Sequence, residues 1–124
     1  MSPDHLMPVR RMKTYAGGQG YVYQYYFVGK RVALEREVSA TEYIFDVTSD
    51  RKTSFATSVF LAEAAVHHWV SAHGRELTEA EQYAAAKMRL FEGFDQIENM
   101  MADGRRLTID GGALERLLKN LKID

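Results

Sequence analysis

Thr41-Glu42-Tyr43-Ile44-Phe45-Asp46-Val47-Thr48, Ser49-Asp50-Arg51-Lys52 and Thr53-Ser54-Phe55-Ala56-Thr57-Ser58-Val59-Phe60 read in succession as strand, turn and strand. In the first run Tyr43, Phe45 and Val47 alternate with Glu42, Ile44, Asp46 and Thr48. In the second, Phe55, Thr57 and Val59 alternate with Ser54, Ala56, Ser58 and Phe60. Successive strand side chains point to opposite faces, so each run has one face suited to burial. The polar residues between the runs close them into a hairpin. After Phe60 the apolar spacing changes to the helical period. Strands first and helices afterwards predict an α+β fold: an antiparallel β-meander of four or five strands followed by three helices packed on one sheet face.

Downstream, Leu61 to His73 reads as a helix with Leu61, Ala65, Trp69 and Ala72 along one stripe, and Gly74 stands where a C-terminal glycine cap belongs. Thr78-Glu79-Ala80-Glu81 is a capping box. It opens the longest helix, to about Met101, with Tyr83, Ala86, Leu90, Phe94, Ile97 and Met101 as its apolar stripe. Gly93 inside that helix costs about 1 kcal/mol relative to alanine and marks a point of close packing. Asp103-Gly104 ends it. Leu107 to Ile109 reads as a fifth short strand or a connector. Asp110 then caps a last helix that turns Leu114, Leu117, Leu118 and Leu121 inward.

Upstream, Gly20-Tyr21-Val22-Tyr23-Gln24-Tyr25-Tyr26-Phe27-Val28 is a strand with Tyr21, Tyr23, Tyr25 and Phe27 on one face and Val22, Gln24, Tyr26 and Val28 on the other. A short strand at Arg10 to Tyr15 precedes it, joined by Ala16-Gly17-Gly18-Gln19-Gly20. Gly29-Lys30-Arg31 closes the tyrosine strand, and Val32 to Ala40 reads as a connection without a clear period. Residues 1–8 hold both prolines and form a loose lead-in; residues 9–124 form one domain.

The composition excludes several function classes. The chain has no cysteine, so disulfides, thiolate zinc sites and cysteine nucleophiles are absent. Sixteen Lys and Arg stand against 17 Asp and Glu, a net charge of −1, which lacks the basic excess of a sequence-independent nucleic-acid binder. No apolar run reaches the length of a membrane span, and the first residues lack a signal-peptide core. A cytoplasmic protein without a membrane contact is the expectation.

Gln19-Gly20-Tyr21-Val22-Tyr23 resembles the aromatic strand of RNA-recognition motifs, which would imply base stacking on alternating aromatics. The pattern departs from that family in three ways: Gln19 replaces the basic residue, Val22 replaces the small one, and no helix precedes the strand. Cold-shock barrels carry a similar strand but are all-β. No functional residue is carried over from either. Gly17-Gly18-Gln19-Gly20 leads into a strand, not a helix N-terminus, and so reads as a hairpin turn instead of a phosphate loop. Glu63 and His67 have a metal-binding spacing, with His68 and His73 nearby and Glu42 and Asp46 on a strand, but no second ligand motif completes a site. Neither a metal nor a cofactor is expected. No nucleophile motif or carboxylate pair favours an enzyme.

The expected function is a small binding or interaction module. Its aromatic sheet face (Tyr21, Tyr23, Tyr25 and Phe27, with Arg31 and Arg51) would contact a protein partner or pair with a second copy in a homodimer. The less favoured alternative is a nucleic-acid-binding regulator using Tyr21, Tyr23 and Tyr25 with nearby Arg and Lys; the basic pairs Arg10-Arg11, Lys30-Arg31, Arg51-Lys52 and Arg105-Arg106 would have to converge to hold it. A further alternative is a small enzyme or ligand carrier with a pocket between the sheet and Trp69.

Overall fold

The computed structural model describes residues 11–124 except residue 19. The lead-in at 1–8, Arg10 and Gln19 lie outside the described residues. In chain order the elements are β1 (Lys13–Ala16), β2 (Val22–Glu35), β3 (Val38–Thr48), β4 (Ser54–Ala62), α1 (Glu63–His73), α2 (Glu79–Gln96), α3 (Met100–Asp103), β5 (Arg106–Ile109) and α4 (Gly111–Asn120). The strands lie side by side in chain order, antiparallel from β1 to β4. This is the α+β fold that the patterning predicts. One correction concerns β5, which runs parallel to β4. The chain reaches β5 only after three helices have crossed the sheet, and a parallel neighbour requires such a crossover.

The central hairpin forms as its alternation dictates. Tyr43 lies opposite Val59, Phe45 opposite Thr57 and Val47 opposite Phe55, and all six are buried. Its turn is tied by Asp50, whose Oδ1 accepts the Lys52 and Thr53 N–H groups at 2.8 Å each. Those bonds, Thr53 first, hold the Asp50 carboxyl below its ordinary range.

Val32 to Ala40 is not a connection. β2 continues to Glu35, Arg36 and Glu37 make a two-residue turn, and β3 starts at Val38. A register shift between Phe27 and Gly29 hides this strand from sequence reading. Opposite residues share a face, so Tyr25 and Phe27 lie with Val47 and Phe45, whereas Lys30 and Val32 lie with Tyr43 and Thr41. The bulge thus moves the helix-side set from odd to even positions, and no single period spans the segment. The turn also lacks its usual signal: Arg36 and Glu37 take the left-handed conformation (φ 50° and 67°) that glycine or asparagine would announce.

Two helix boundaries also shift. Leu61 belongs to β4, opposite Thr41 and Ile109, and α1 starts at Glu63 with Ala65 and Trp69 buried and Ala72 exposed. A residue four positions before Ala65 fits a helix stripe or a strand end equally well. α2 ends at Gln96, and Asn99 caps the separate α3 by accepting the Ala102 N–H at 3.1 Å, which buries Met100 and leaves Met101 exposed. The caps form where the sequence places them. Gly74 is left-handed (φ 71°) and donates its N–H to Val70 at 2.9 Å. Thr78 and Glu81 form the reciprocal capping box. Asp110 accepts the Ala113 N–H at 2.8 Å. A Cβ on Gly93 would meet Leu107 Cδ1 at 3.0 Å, the close packing its position implies.

One buried cluster joins the sheet to the helices: Tyr43, Phe45, Val59 and Leu61 from the strands, Trp69 from α1, Leu90 and Phe94 from α2, and Leu114, Leu117 and Leu118 from α4. The helices therefore cover one face of the sheet and, among the described residues, leave the other bare.

Candidate functional site

The tyrosine row faces the helices. Tyr23 and Tyr25 are 3% and 4% exposed, and Phe27 is half-buried. Tyr23 stacks on Phe94 at 4.2 Å between centroids, and Phe27 meets Tyr83 edge-on at 4.9 Å. Tyr15 of β1 stacks on Phe91 at 4.3 Å, and its hydroxyl donates to Asp95 at 2.8 Å. Of the row, Tyr21 is 42% exposed, beside a hollow of about 150 Å³ that it shares with Tyr23, Ser49, Phe55, Asn99 and Met101. As folded, Tyr23 and Tyr25 have no surface to offer a partner. Strong aromatic alternation marks burial here, because flat rings fill the space between a sheet and its helices.

On the bare face the bulge and the natural twist curl the β2–β3 hairpin end. In this register Glu35 lies six positions along β2 from Gly29, and Gly29 shares its row with Ile44, Ser58 and Arg106. In a flat sheet Glu35 and Arg106 would stand about 20 Å apart along the strands and about 14 Å across them. They are instead ion-paired. The hairpin tip therefore bends over the bare face and reaches β5.

The bend walls off a cleft of about 400 Å³. Its floor is Phe60, Ala40 and Ala62, with Val38, Glu35 and Arg36 on the hairpin side and Arg106, Thr108 and Asp110 on the β5 side. Phe60 is only 3% exposed although it stands apart from the helix-side core. The Arg106 guanidinium covers it, 4.6 Å from the ring centroid. Arg36 approaches Glu35 at 3.8 Å and is otherwise open to solvent.

Beside the cleft lies a buried carboxylate. Glu42 accepts hydrogen bonds from Ser58 Oγ at 2.6 Å and Arg31 Nε at 2.8 Å. Burial pushes its pKa up, but those bonds and the Arg31 and Arg106 charges outweigh it and hold Glu42 below its ordinary range. Tyr26, on the same face, donates to Asp46 at 2.6 Å. Glu42 is thus a fixed anion that anchors Arg31, not a proton carrier near neutral pH.

The basic pairs scatter. Lys30 points to the helix side and meets Glu79 at 3.3 Å, while Arg31 points to the bare face. Arg51 sits exposed in the β3–β4 turn, at the opposite end of β3 from the cleft's hairpin wall. Arg105 donates to the Ala56 carbonyl at 3.1 Å and Arg106 joins Glu35. Glu63 and His67 lie 3.8 Å apart on the outside of α1, but His73 turns to Glu115 at 2.6 Å and stacks on Trp69. Trp69 itself is fully buried.

Sequence reading singled out Arg31, weighed Glu42 only as a metal ligand and Arg106 only within a basic pair, and passed over Phe60 and Glu35. Phe60 carried one signal: it is the large apolar residue on the otherwise small and polar side of β4. Nothing in the sequence brings Glu35 to Arg106, because that contact depends on curvature. No family model matches the chain, and no curated protein or solved structure matches it.

Proposed function

We propose that this chain is a small binding module whose working surface is the bare face of the sheet, centred on the cleft beneath the curled hairpin. The ligand class that fits is a small amphipathic molecule with an apolar body and an anionic end. The apolar body would lie against Val38 and Ala62, beside the Phe60 ring that Arg106 covers, and the anionic end would meet the unused donors of Arg106 and Arg36. The observation that carries this reading is the Arg106–Glu35 pair closing over Phe60 on a face that no helix covers. The cleft volume lies within the range of small-molecule sites, which combine apolar walls with a few convergent polar groups. The scattered, acid-paired arginines and lysines do not favour nucleic acid.

The deciding experiment is amide NMR of the chain against a library of small carboxylates and phosphate esters with apolar bodies. The reading expects saturable shifts concentrated at Val38, Ala40, Ala62 and Thr108, lost in Arg106→Ala. Shifts confined to other surfaces, or none at millimolar ligand, would overturn it.

A further inference from the structure

β1 pairs only with Val22 to Tyr25 of β2. Farther along, the outer edge of β2 from Lys30 to Glu35 pairs with no other strand among the described residues. Two large apolar side chains stand on the last part of that edge, Val32 at 85% and Leu34 at 70% exposure. In a hairpin closed by two residues, the flanking pair, here Glu35 and Val38, exchanges the inner hydrogen bonds. Alternation then turns the N–H and C=O groups of Leu34, Val32 and Lys30 outward. Unsatisfied strand groups beside bare apolar side chains make a template for another strand.

We propose that the occupant of this edge is a second copy of the chain, its β2 paired antiparallel with the first about a twofold axis at Ala33. A twofold axis normal to the sheet keeps like faces together, so it must pass through a residue, and only a few centres are open. Centred on Arg31, it sets Arg31 against its own copy. Centred on Val32, it sets Leu34 against Lys30. Centred on Leu34, it runs Val32 into the turn at Arg36. Centred on Ala33, Val32 faces Leu34 of the partner twice on the helix side, and Arg31 faces Glu35 of the partner twice on the bare face. Over residues 31–35 that register alone matches apolar to apolar and cation to anion, and the one like-charge pair, Lys30 with Arg36 of the second copy, falls at the turn where the ladder ends. It also makes the Val32–Leu34 pairs the hydrogen-bonded ones, as their outward backbone groups require. The ladder ends at the Arg36–Glu37 turn, and Lys30 stays with Glu79. The dimer extends the sheet across both copies and sets their two clefts on a common face.

Sedimentation equilibrium at about 100 μM suits the modest size of such an interface. The wild type should run at twice the monomer mass. Val32→Glu should run as a monomer and should melt with the wild type at a dilution where the wild type has dissociated, since Val32 touches little in its own chain. Val32→Glu combined with Leu34→Lys should restore the dimer, because this register sets Glu against Lys of the partner. Ala33→Cys, in a chain without other cysteines, should cross-link under mild oxidation, whereas Ser71→Cys on α1 should not. A monomeric wild type, a dimeric Val32→Glu, an unrestored double variant or an uncross-linked Ala33→Cys would each overturn the proposal. None of these outcomes depends on whether the cleft binds a ligand.

Discussion

The Arg106 guanidinium lies 4.6 Å from the centroid of the Phe60 ring, on the face of the sheet that no helix covers among the described residues. The same guanidinium pairs with Glu35 at the far end of the curled hairpin. One side chain therefore shields an apolar floor and holds the cleft's wall in place. Its removal should be cheap for stability, because exposed ion pairs and cation–π contacts are each worth about 1 kcal/mol or less. Phe60→Ala should cost more, about 3 kcal/mol, through lost burial. Urea unfolding compares the two. Amide exchange at Val38 and Ala40 should speed up in Arg106→Ala; an unchanged rate would mean the wall stands without it.

Tyr43 should respond to high pH and to loss of its hydroxyl. Burial pushes its pKa up to about 12, and its hydroxyl has no hydrogen-bond partner among the described residues. Below pH 10 both folded and unfolded chains keep the proton, so stability is full. Between pH 10 and about 12 the unfolded chain releases it first, and stability falls. Burial moves Tyr23, Tyr25 and Tyr83 the same way. Tyr43→Phe should be as stable as wild type or up to about 1 kcal/mol better at pH 7, since it deletes an unpaired buried hydroxyl. It should also lose less between pH 9.5 and 11, which denaturant titrations at both values would measure.

Glu81 sets an acid-side dependence. Arg75 grips its carboxylate through two bonds of 3.0 Å, and the Thr78 N–H adds a third at 3.0 Å. Arg75 first, then the Thr78 N–H, brings its pKa down to about 2. The lowered value adds stability above the ordinary glutamate pKa of 4.5, and that stability is lost as pH falls toward about 2. The difference in melting temperature between wild type and Glu81→Gln should therefore shrink across that window. At pH 7, Thr78→Ala should cost about 1 kcal/mol through the lost cap.

Two glycines should behave differently on conversion to alanine. A Cβ at Gly104 would overlap Met100 Sδ and come within 3.2 Å of the Met100 Cα, which is backbone and cannot swing aside. Gly104→Ala should cost about 1–3 kcal/mol. At Gly93 the nearest atom is the Leu107 Cδ1 at 3.0 Å, the far end of a side chain, and the helix gains about 1 kcal/mol from alanine. Gly93→Ala should fall within about 1 kcal/mol of wild type. Thermal melts of the two variants should be clearly separated.

The elements legible in the sequence are those whose signals are local. Tyr43, Phe45 and Val47 alternate with polar neighbours because a strand exposes its two faces in turn. Thr78 and Glu81 cap a helix from three residues apart, and Gly74 ends one with its own backbone conformation. Such features depend on neighbours within a few residues, so composition and spacing suffice to find them. The class of the fold followed from the same signals, as did the packing of helices on one sheet face.

The bulge at Val28 is where that logic stops. One extra residue exchanges the two faces of β2, and a run that looks aperiodic becomes a strand ending in a left-handed pair at Arg36 and Glu37. Which face of the tyrosine row would be covered was likewise undetermined, since Tyr23 and Tyr26 look alike until helices choose a side. The cleft is the furthest from local control. Glu35 and Arg106 are brought together by the accumulated twist of four strands, a property of the sheet and not of any segment. By itself the sequence determined most of the strands and helices and their caps, because those obey short-range sterics and hydrogen bonding. Only the tertiary structure decided that the aromatic row packs under the helices and that the face opposite it is the one left without a helix among the described residues.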